Sequence, residues 1–257
     1  MNSDVRRLLG AIAPYVLLSA GLVLSTGYIV AGTDWDRVAT PAIALSNLAR
    51  FFPPNVAEIP GLFWPTIDTL LMALFSTLLI ALLVPPIVWL SAANVSPNFV
   101  TVLLGRGIIV GSRSIHELVW GLLFVIAVGL GPLAGILALA VRGIGFVAKI
   151  VAEEVEAIDT RPIEALRATG AGRLKVLILA VIPQVLPVYI GTLIFQCEID
   201  LRRAAVIGVV GAGGLGLAFH QAMIQYRWDN AMAIVVILVV TVSLGEVLSR
   251  QLRKRII

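Results

Sequence analysis

Apolar residues come in long uncharged runs rather than at a strand or amphipathic-helix period. Residues 11–30 give 20 uncharged positions, residues 69–90 give 22 and residues 231–245 give 15. A helix rises about 1.5 Å per residue, so about 20 residues cross a hydrocarbon core. Each of these runs predicts a membrane span, the last extending to Leu248 with Glu246 at the interface. Residues 118–141 are uncharged for 24 positions but contain Gly129-Leu130-Gly131-Pro132. That break reads as a tight turn between two spans, one over about 109–128 and one over about 133–152. A fifth span starts near Val185.

Charge supports this division. Two central spans put the N-terminus with Arg6 and Arg7, a loop with Arg106 and Arg113, the 149–175 segment and the C-terminal tail on one side. That side then holds 13 of the 19 basic residues. Cytoplasmic loops carry such a Lys/Arg excess. The expectation is six spans with both termini cytoplasmic. The formal charge of +4 is explained in the same way and calls for no nucleic-acid partner. Only 13 % of residues are charged and 59 % are hydrophobic, against about 25 % charged in a soluble domain. A soluble enzyme, a coiled coil and a disordered chain are excluded. The first run follows Arg6 and Arg7 like a signal peptide, but it is too long and lacks a clear cleavage site, so it reads as a retained span. A single cysteine, Cys197, allows no intrachain disulfide.

Residues 204–226 are also uncharged. A full span here would turn the basic tail outward. The segment therefore reads as the outer end of span five followed by a glycine-broken piece packed near the outer surface. Gly211-Ala212-Gly213-Gly214-Leu215-Gly216 satisfies G-x-G-x-x-G. A dinucleotide site would need a βαβ unit and an acid about 20 residues on; the next acid is Asp229, and a span follows. Gly208, Ala212 and Gly216 instead suggest a face for close helix contact. Gly208, Gly211, Gly213, Gly214 and Gly216 are the candidate packing or gating residues. No P-loop for ATP is present.

The segment from Asp159 to Pro187 parses as helix, break, helix. Asp159 or Thr160 can cap, Pro162 suits a first turn, and Gly170 and Gly172 allow a sharp turn. Glu164-Ala165-Leu166 is followed after three residues by Gly170, and after nine more by Ala180-Val181-Ile182-Pro183. This resembles the cytoplasmic Glu-Ala-Ala motif of ABC importer permeases. Glu164, Ala165, Gly170 and Pro183 match at the family spacing, whereas Leu166, Ala180 and Ile182 depart from it conservatively. From about Arg113 to the C-terminus the chain resembles phosphonate-type permeases, in VGLGPLAGILAL, EIDLRRAAVIGVVGAGGLG and SRQLRKRII. FFPPN at 51–55 is like that branch too.

The resemblance implies an all-α, polytopic membrane helix bundle with the type I ABC importer permease fold, sited in the bacterial inner membrane. It implies one permease domain over 1–257: a first span and outer loop over 1–60, and a core bundle over 61–257 with a coupling loop at about 153–183. It further implies a second copy of the chain, two ATPase subunits holding ATP and Mg, and an extracytoplasmic binding protein. The cargo implied is phosphonate or a related phosphorus oxyanion. This chain would bind no cofactor and catalyse no reaction. Glu164, Ala165, Leu166, Gly170 and Pro183 would take the push from the ATPase.

Charges inside spans are costly and face a cavity or a partner. With the 129–132 turn outside, Glu117 and Arg142 each lie about 15 to 18 Å deep, so they are expected to pair or share a cavity. Glu198 reaches similar depth from the other side, followed by Asp200, Arg202 and Arg203. Glu198 with Arg202, and Asp200 with Arg203, are spaced to meet on a helix; His116 adjoins Glu117. These seven residues are the candidate pathway lining, and ion pairs that only hold helices together are the alternative. No metal-ligand spacing or nucleophile–base set stands out. Rival readings are a permease for methionine or another small solute, a proton-coupled secondary transporter, and a membrane enzyme acting on lipid phosphate.

Overall fold

The computed structural model describes residues 3–35 and 40–256 and forms two units, Met1–Ala49 and Arg50–Ile257. The first holds helix α1 (Ser3–Gly32), with Pro14 inside it, and α2 (Pro41–Ala49). The 21 residues Ile12–Gly32 are long and apolar enough to span. Nine residues, about 14 Å, make α2 too short. The side chains of Arg6, Arg7, Arg173 and Arg255, counted in the orientation argument, lie outside the described ones.

The second unit begins at Arg50 and so includes residues 50–60, which the sequence groups with the first span. They pack on their own unit. Phe51 lies 5.3 Å from Trp228, the Asn55 and Asn230 amides meet at 2.9 Å, and Glu58 pairs with Arg227 at 2.6 Å. A 3₁₀ turn (Val56–Leu62) leads into α3 (Phe63–Ser91). Then come α4 (Phe99–Ser114), α5 (Glu117–Val128), α6 (Pro132–Ala157), α7 (Arg161–Ala168), α8 (Arg173–Val176), α9 (Ile182–Ile207), α10 (Gly214–Ile224) and α11 (Trp228–Ile256).

Helix α6 is the central post. Small residues let its neighbours approach closely, the usual basis of helix packing in lipid. A Cβ on Gly143 would lie 2.3 Å from Ile80 of α3 and 2.9 Å from Gln196 of α9. A Cβ on Gly145 would lie 2.8 Å from the Ile109 carbonyl of α4. Ile80, Val84, Ile144, Val147, Val151 and Val185 form the core toward the α7 end of the bundle. Met72, Ala138, Leu139, Ile207 and Ala212 form it toward the glycine end, where the 129–132 and 211–214 turns meet through the Gly131 N–H and the Gly211 carbonyl at 3.0 Å.

Five helices are long and apolar enough to span, and a bent pair makes up to six. The third span is not the single helix expected over about 109–128. α4 and α5 are bent by 93° across Ile115–His116. Arg106 and Arg113, expected in a loop, lie on α4. That helix starts early because Asn98 and Thr101 form a capping box, and Arg106 is neutralised by Glu156 at 2.9 Å. The fifth span also starts earlier than Val185. α8, a π-turn (Leu177–Val181) and α9 form one helical run. Pro183 has no N–H, and its ring would strike the carbonyl four residues back. The wider turn, with the Ile182 N–H on the Leu177 carbonyl, accommodates it.

Residues 204–226 do not cross. α9 ends at Ile207, Gly211, Gly213 and Gly214 take positive φ, and eleven-residue α10 folds back. Only glycine enters that region without strain. Gly208 and Gly216 therefore do not line one continuous helix; they face each other across a hairpin. A Cβ on Gly216 would lie 2.0 Å from the Ala205 carbonyl, and one on Gly208 would lie 2.6 Å from Gly216 Cα. The G-x-G-x-x-G run follows a helix, with no strand before it among the described residues.

Backbone cannot give way as a flexible side chain can. Gly216→Val is expected to destabilise the protein by about 2 kcal/mol or more. Gly107→Ala on α4, with open space around it, is expected to be neutral or mildly stabilising. Thermal unfolding of both in detergent, monitored by size-exclusion chromatography, checks the contrast.

Candidate functional site

Near the middle of α6 and in the C-terminal part of α9 the bundle turns polar. Glu117, the first residue of α5, sits there because the α4–α5 break interrupts the span at its middle. His116 caps α5, its Nδ1 accepting from the Leu118 N–H at 3.3 Å, and its Nε2 lies 3.8 Å from Glu117. Arg142 Nε is 3.9 Å from one Glu117 oxygen, and Arg203 Nε is 3.4 Å from the other. The depth argument thus places Glu117 and Arg142 correctly. The expected Asp200–Arg203 pair does not form. Asp200 is fully buried against α3, accepting from Ser76 at 3.0 Å and Gln196 at 2.7 Å. Arg203 turns the other way, toward α5 and α6.

Glu198 makes a second group. Arg202 donates to it at 2.6 Å, as the four-residue spacing suggests, while Ser249 and Arg253 of α11 each donate at 3.1 Å. Arg253 also covers the Phe195 ring, 5.7 Å from its centroid, and Phe195 lies 6.3 Å from Phe146 of α6. Arg113 packs against Gly145, and its charge is felt at Arg142. Four guanidiniums therefore lie against two carboxylates, Arg142 and Arg203 against Glu117 and Arg202 and Arg253 against Glu198, while Asp200 is held by neutral groups.

Sequence reasoning missed Arg253, taken as tail, and Arg113, taken as loop. It also missed the neutral partners Ser76, Gln196 and Ser249. One signal was available: Ser249 and Arg253 are four apart, hence on one helix face. Gln196 and Asp200 show the same four-residue spacing, whereas Ser76, 124 residues from Asp200, left no such trace.

The second candidate region is α7. Glu164 and Ala165 are exposed and Leu166 is half-buried. Asp159 accepts from the Arg161 side chain and N–H, which holds its carboxyl below the usual range. The helix ends in a Schellman turn: the Gly170 N–H bonds the Arg167 carbonyl at 2.9 Å, and the Ala171 N–H bonds the Leu166 carbonyl at 3.2 Å. Gly170 has φ +79°, so glycine is needed for conformation, with open space around it. Gln184 ties the base of this module to α9, accepting from the Asp159 N–H at 3.1 Å. Pro183 is exposed beside it at the π-turn.

Residues 63–257 match the model of a family described as binding-protein-dependent transport system inner membrane component. The chain is 35 % identical over 231 residues to the phosphate-import permease protein PhnE of Mycolicibacterium smegmatis. That match covers 88 % of this chain and 43 % of the relative, so the chain spans less than half of that protein's length. It is 32 % identical to the phosphite transport system permease protein PtxC of Stutzerimonas stutzeri, over 93 % of this chain and 87 % of that one. The MetNI methionine ABC transporter in an inward-facing conformation has the same fold, with TM-score 0.67 and 24 % identity over 79 % of this chain and 99 % of that one. The chain belongs to the binding-protein-dependent transport system inner membrane components, the multi-pass permease subunits of ABC importers.

Proposed function

We propose that this permease imports a phosphorus oxyanion, such as phosphonate, phosphite or phosphate, by alternating access. In this reading it works with two ATPase subunits, an extracytoplasmic binding protein and a second copy of itself. The observation that carries the reading is that two guanidiniums, Arg142 and Arg203, share the single Glu117 carboxylate beside the α4–α5 break. An anion crossing a low-dielectric region needs compensating charge along its way. The names of the two relatives above support the same cargo. A zwitterion such as methionine would not call for this surplus, and the D-methionine relative from Pasteurella multocida is only 25 % identical.

The exposed α7 helix is the element that would dock on the ATPase. The 169–172 turn and the Gln184–Asp159 hydrogen bonds tie it to the helical run that begins at Arg173 and leads to Glu198 and Arg203, so a push on α7 would be passed along that run. ATP binding would draw the α7 helices of two copies together and turn the bundle outward. Each state must differ in its contacts with nucleotide or cargo for that coupling to exist. The α7 end and both termini would then face the cytoplasm, and the glycine end would face the binding protein.

Two outcomes are expected. Gly170→Val forces a β-branched residue into positive φ, so binding-protein-dependent uptake should fall by about tenfold or more while membrane insertion is unchanged; uptake and membrane content in cells check this. In intact cells a membrane-impermeant thiol reagent should label Tyr226→Cys and spare Ala168→Cys, and open cells should label both.

A further inference from the structure

Glu117 is shared between two guanidiniums without being tightly held by either. Its distances to Arg203 and Arg142, 3.4 and 3.9 Å, exceed the roughly 2.7–2.9 Å of a charge-assisted hydrogen bond. The same protein closes such pairs elsewhere: Arg202–Glu198 and Arg227–Glu58 at 2.6 Å, and Arg106–Glu156 at 2.9 Å. The Glu198 group is also closed, with three hydrogen-bonded donors. The Glu117 group is open. Arg142 Nη1 is buried and has no hydrogen-bond partner. A buried donor in that condition is unfavourable, and more so when charged.

The surroundings favour a negative guest. The positive end of the α5 dipole lies at Glu117, and Arg142 and Arg203 both approach it. A broken span whose half-helix starts at mid-depth is a recurring way to hold an anionic group. One planar carboxylate does not reach both guanidiniums at hydrogen-bond distance here. A tetrahedral oxyanion, with oxygens in three or four directions, offers separate acceptors to each.

We propose that Glu117 is a resident stand-in for the cargo. A tetrahedral phosphorus oxyanion displaces its carboxylate, bridges Arg142 and Arg203, and is displaced in turn when Glu117 returns. This deepens the import reading above and rests on it. The exchange keeps an anion beside both guanidiniums at every stage. Leaving them bare would be unfavourable, as it is when one partner of a largely buried pair is removed. The loose resting geometry keeps the guest weakly held and free to leave. Glu117 is thus a release residue, while Arg142 and Arg203 are the binding residues.

The test is binding of radiolabelled inorganic phosphate to the assembled permease–ATPase complex in nanodiscs, without binding protein. Removing the competitor in Glu117→Gln is expected to tighten phosphate binding by about tenfold, equivalent to about 1.4 kcal/mol, while slowing uptake. Glu117→Asp, a milder change that shortens the carboxylate's reach, should shift binding in the same direction. The double variant Glu117→Gln/Arg203→Gln should lose the gain. Phosphate held by the ATPase subunits is common to all variants and cancels in the comparison. Misfolding does not tighten binding, so the expected gain has no trivial source. The proposal is overturned if Glu117→Gln and Glu117→Asp bind phosphate no more tightly than the parent, or if the double variant keeps the gain. A gain reversed by Arg203→Gln in a complex that imports no phosphorus oxyanion would sustain the site and reject the import reading. Normal import with no gain would do the reverse.

Discussion

A charged side chain at the centre of a bilayer costs about 2.5–3.5 kcal/mol even on the mildest scale. Helix α9 carries four of them within six residues: Glu198, Asp200, Arg202 and Arg203. Helix α9 offsets part of that cost itself, through Arg202 on Glu198 and Gln196 on Asp200, and the neighbouring elements supply the rest. Helix α3 supplies Ser76, α5 supplies Glu117, α6 supplies Arg142, and α11 supplies Ser249 and Arg253. The α4–α5 break follows from the same demand. A straight third span would carry Glu117 in mid-helix, whereas the break makes it the first residue of α5, beside Arg203. Gly143 and Gly145 serve it as well, because they bring α3, α4 and α9 close enough to α6 for short side chains to meet.

From Arg173 to Ile207 the backbone is helical throughout, widened once at the π-turn where Pro183 requires it. At one end of this run the 169–172 turn and the Gln184–Asp159 hydrogen bonds attach α7. At the far end the glycine hairpin locks α9 to α10 by direct backbone contact. In the proposed cycle a displacement at α7 would reach Glu198, Asp200 and Arg203 along this run. Glu198 and Arg203 would change partners by breaking ion pairs, and Asp200 by breaking its hydrogen bonds to Ser76 and Gln196.

Much of this was legible in the sequence where the controlling quantity is one-dimensional. Run length found the apolar segments, and residues 204–226, read as a glycine-broken piece, fold as a hairpin instead of one continuous span. Counting residues from the Gly129–Pro132 turn put Glu117 and Arg142 at one depth, because both helices start from that turn. Four-residue spacing found Arg202 for Glu198. The failures share a cause. Arg106, Arg113 and Arg253 were assigned to loops or tail because charge interrupts an apolar run, yet each has a neutralising or packing partner from a distant helix. Asp200 and Arg203 have the right spacing to meet, but burial against α3 decides the direction of one and Glu117 that of the other. The π-turn was hidden because Pro183 usually marks a helix start, and here the helix continues through it.

The central claim is that cargo movement through this polar layer is driven by ATP hydrolysed elsewhere. Uptake of radiolabelled phosphite, phosphate and methylphosphonate into proteoliposomes holding the assembled complex, with ATP inside and binding protein outside, tests it most directly. The account requires concentrative uptake of at least one of these anions that stops when either ATP or the binding protein is left out. Uptake by the permease alone, driven by a proton gradient and indifferent to ATP, would contradict it.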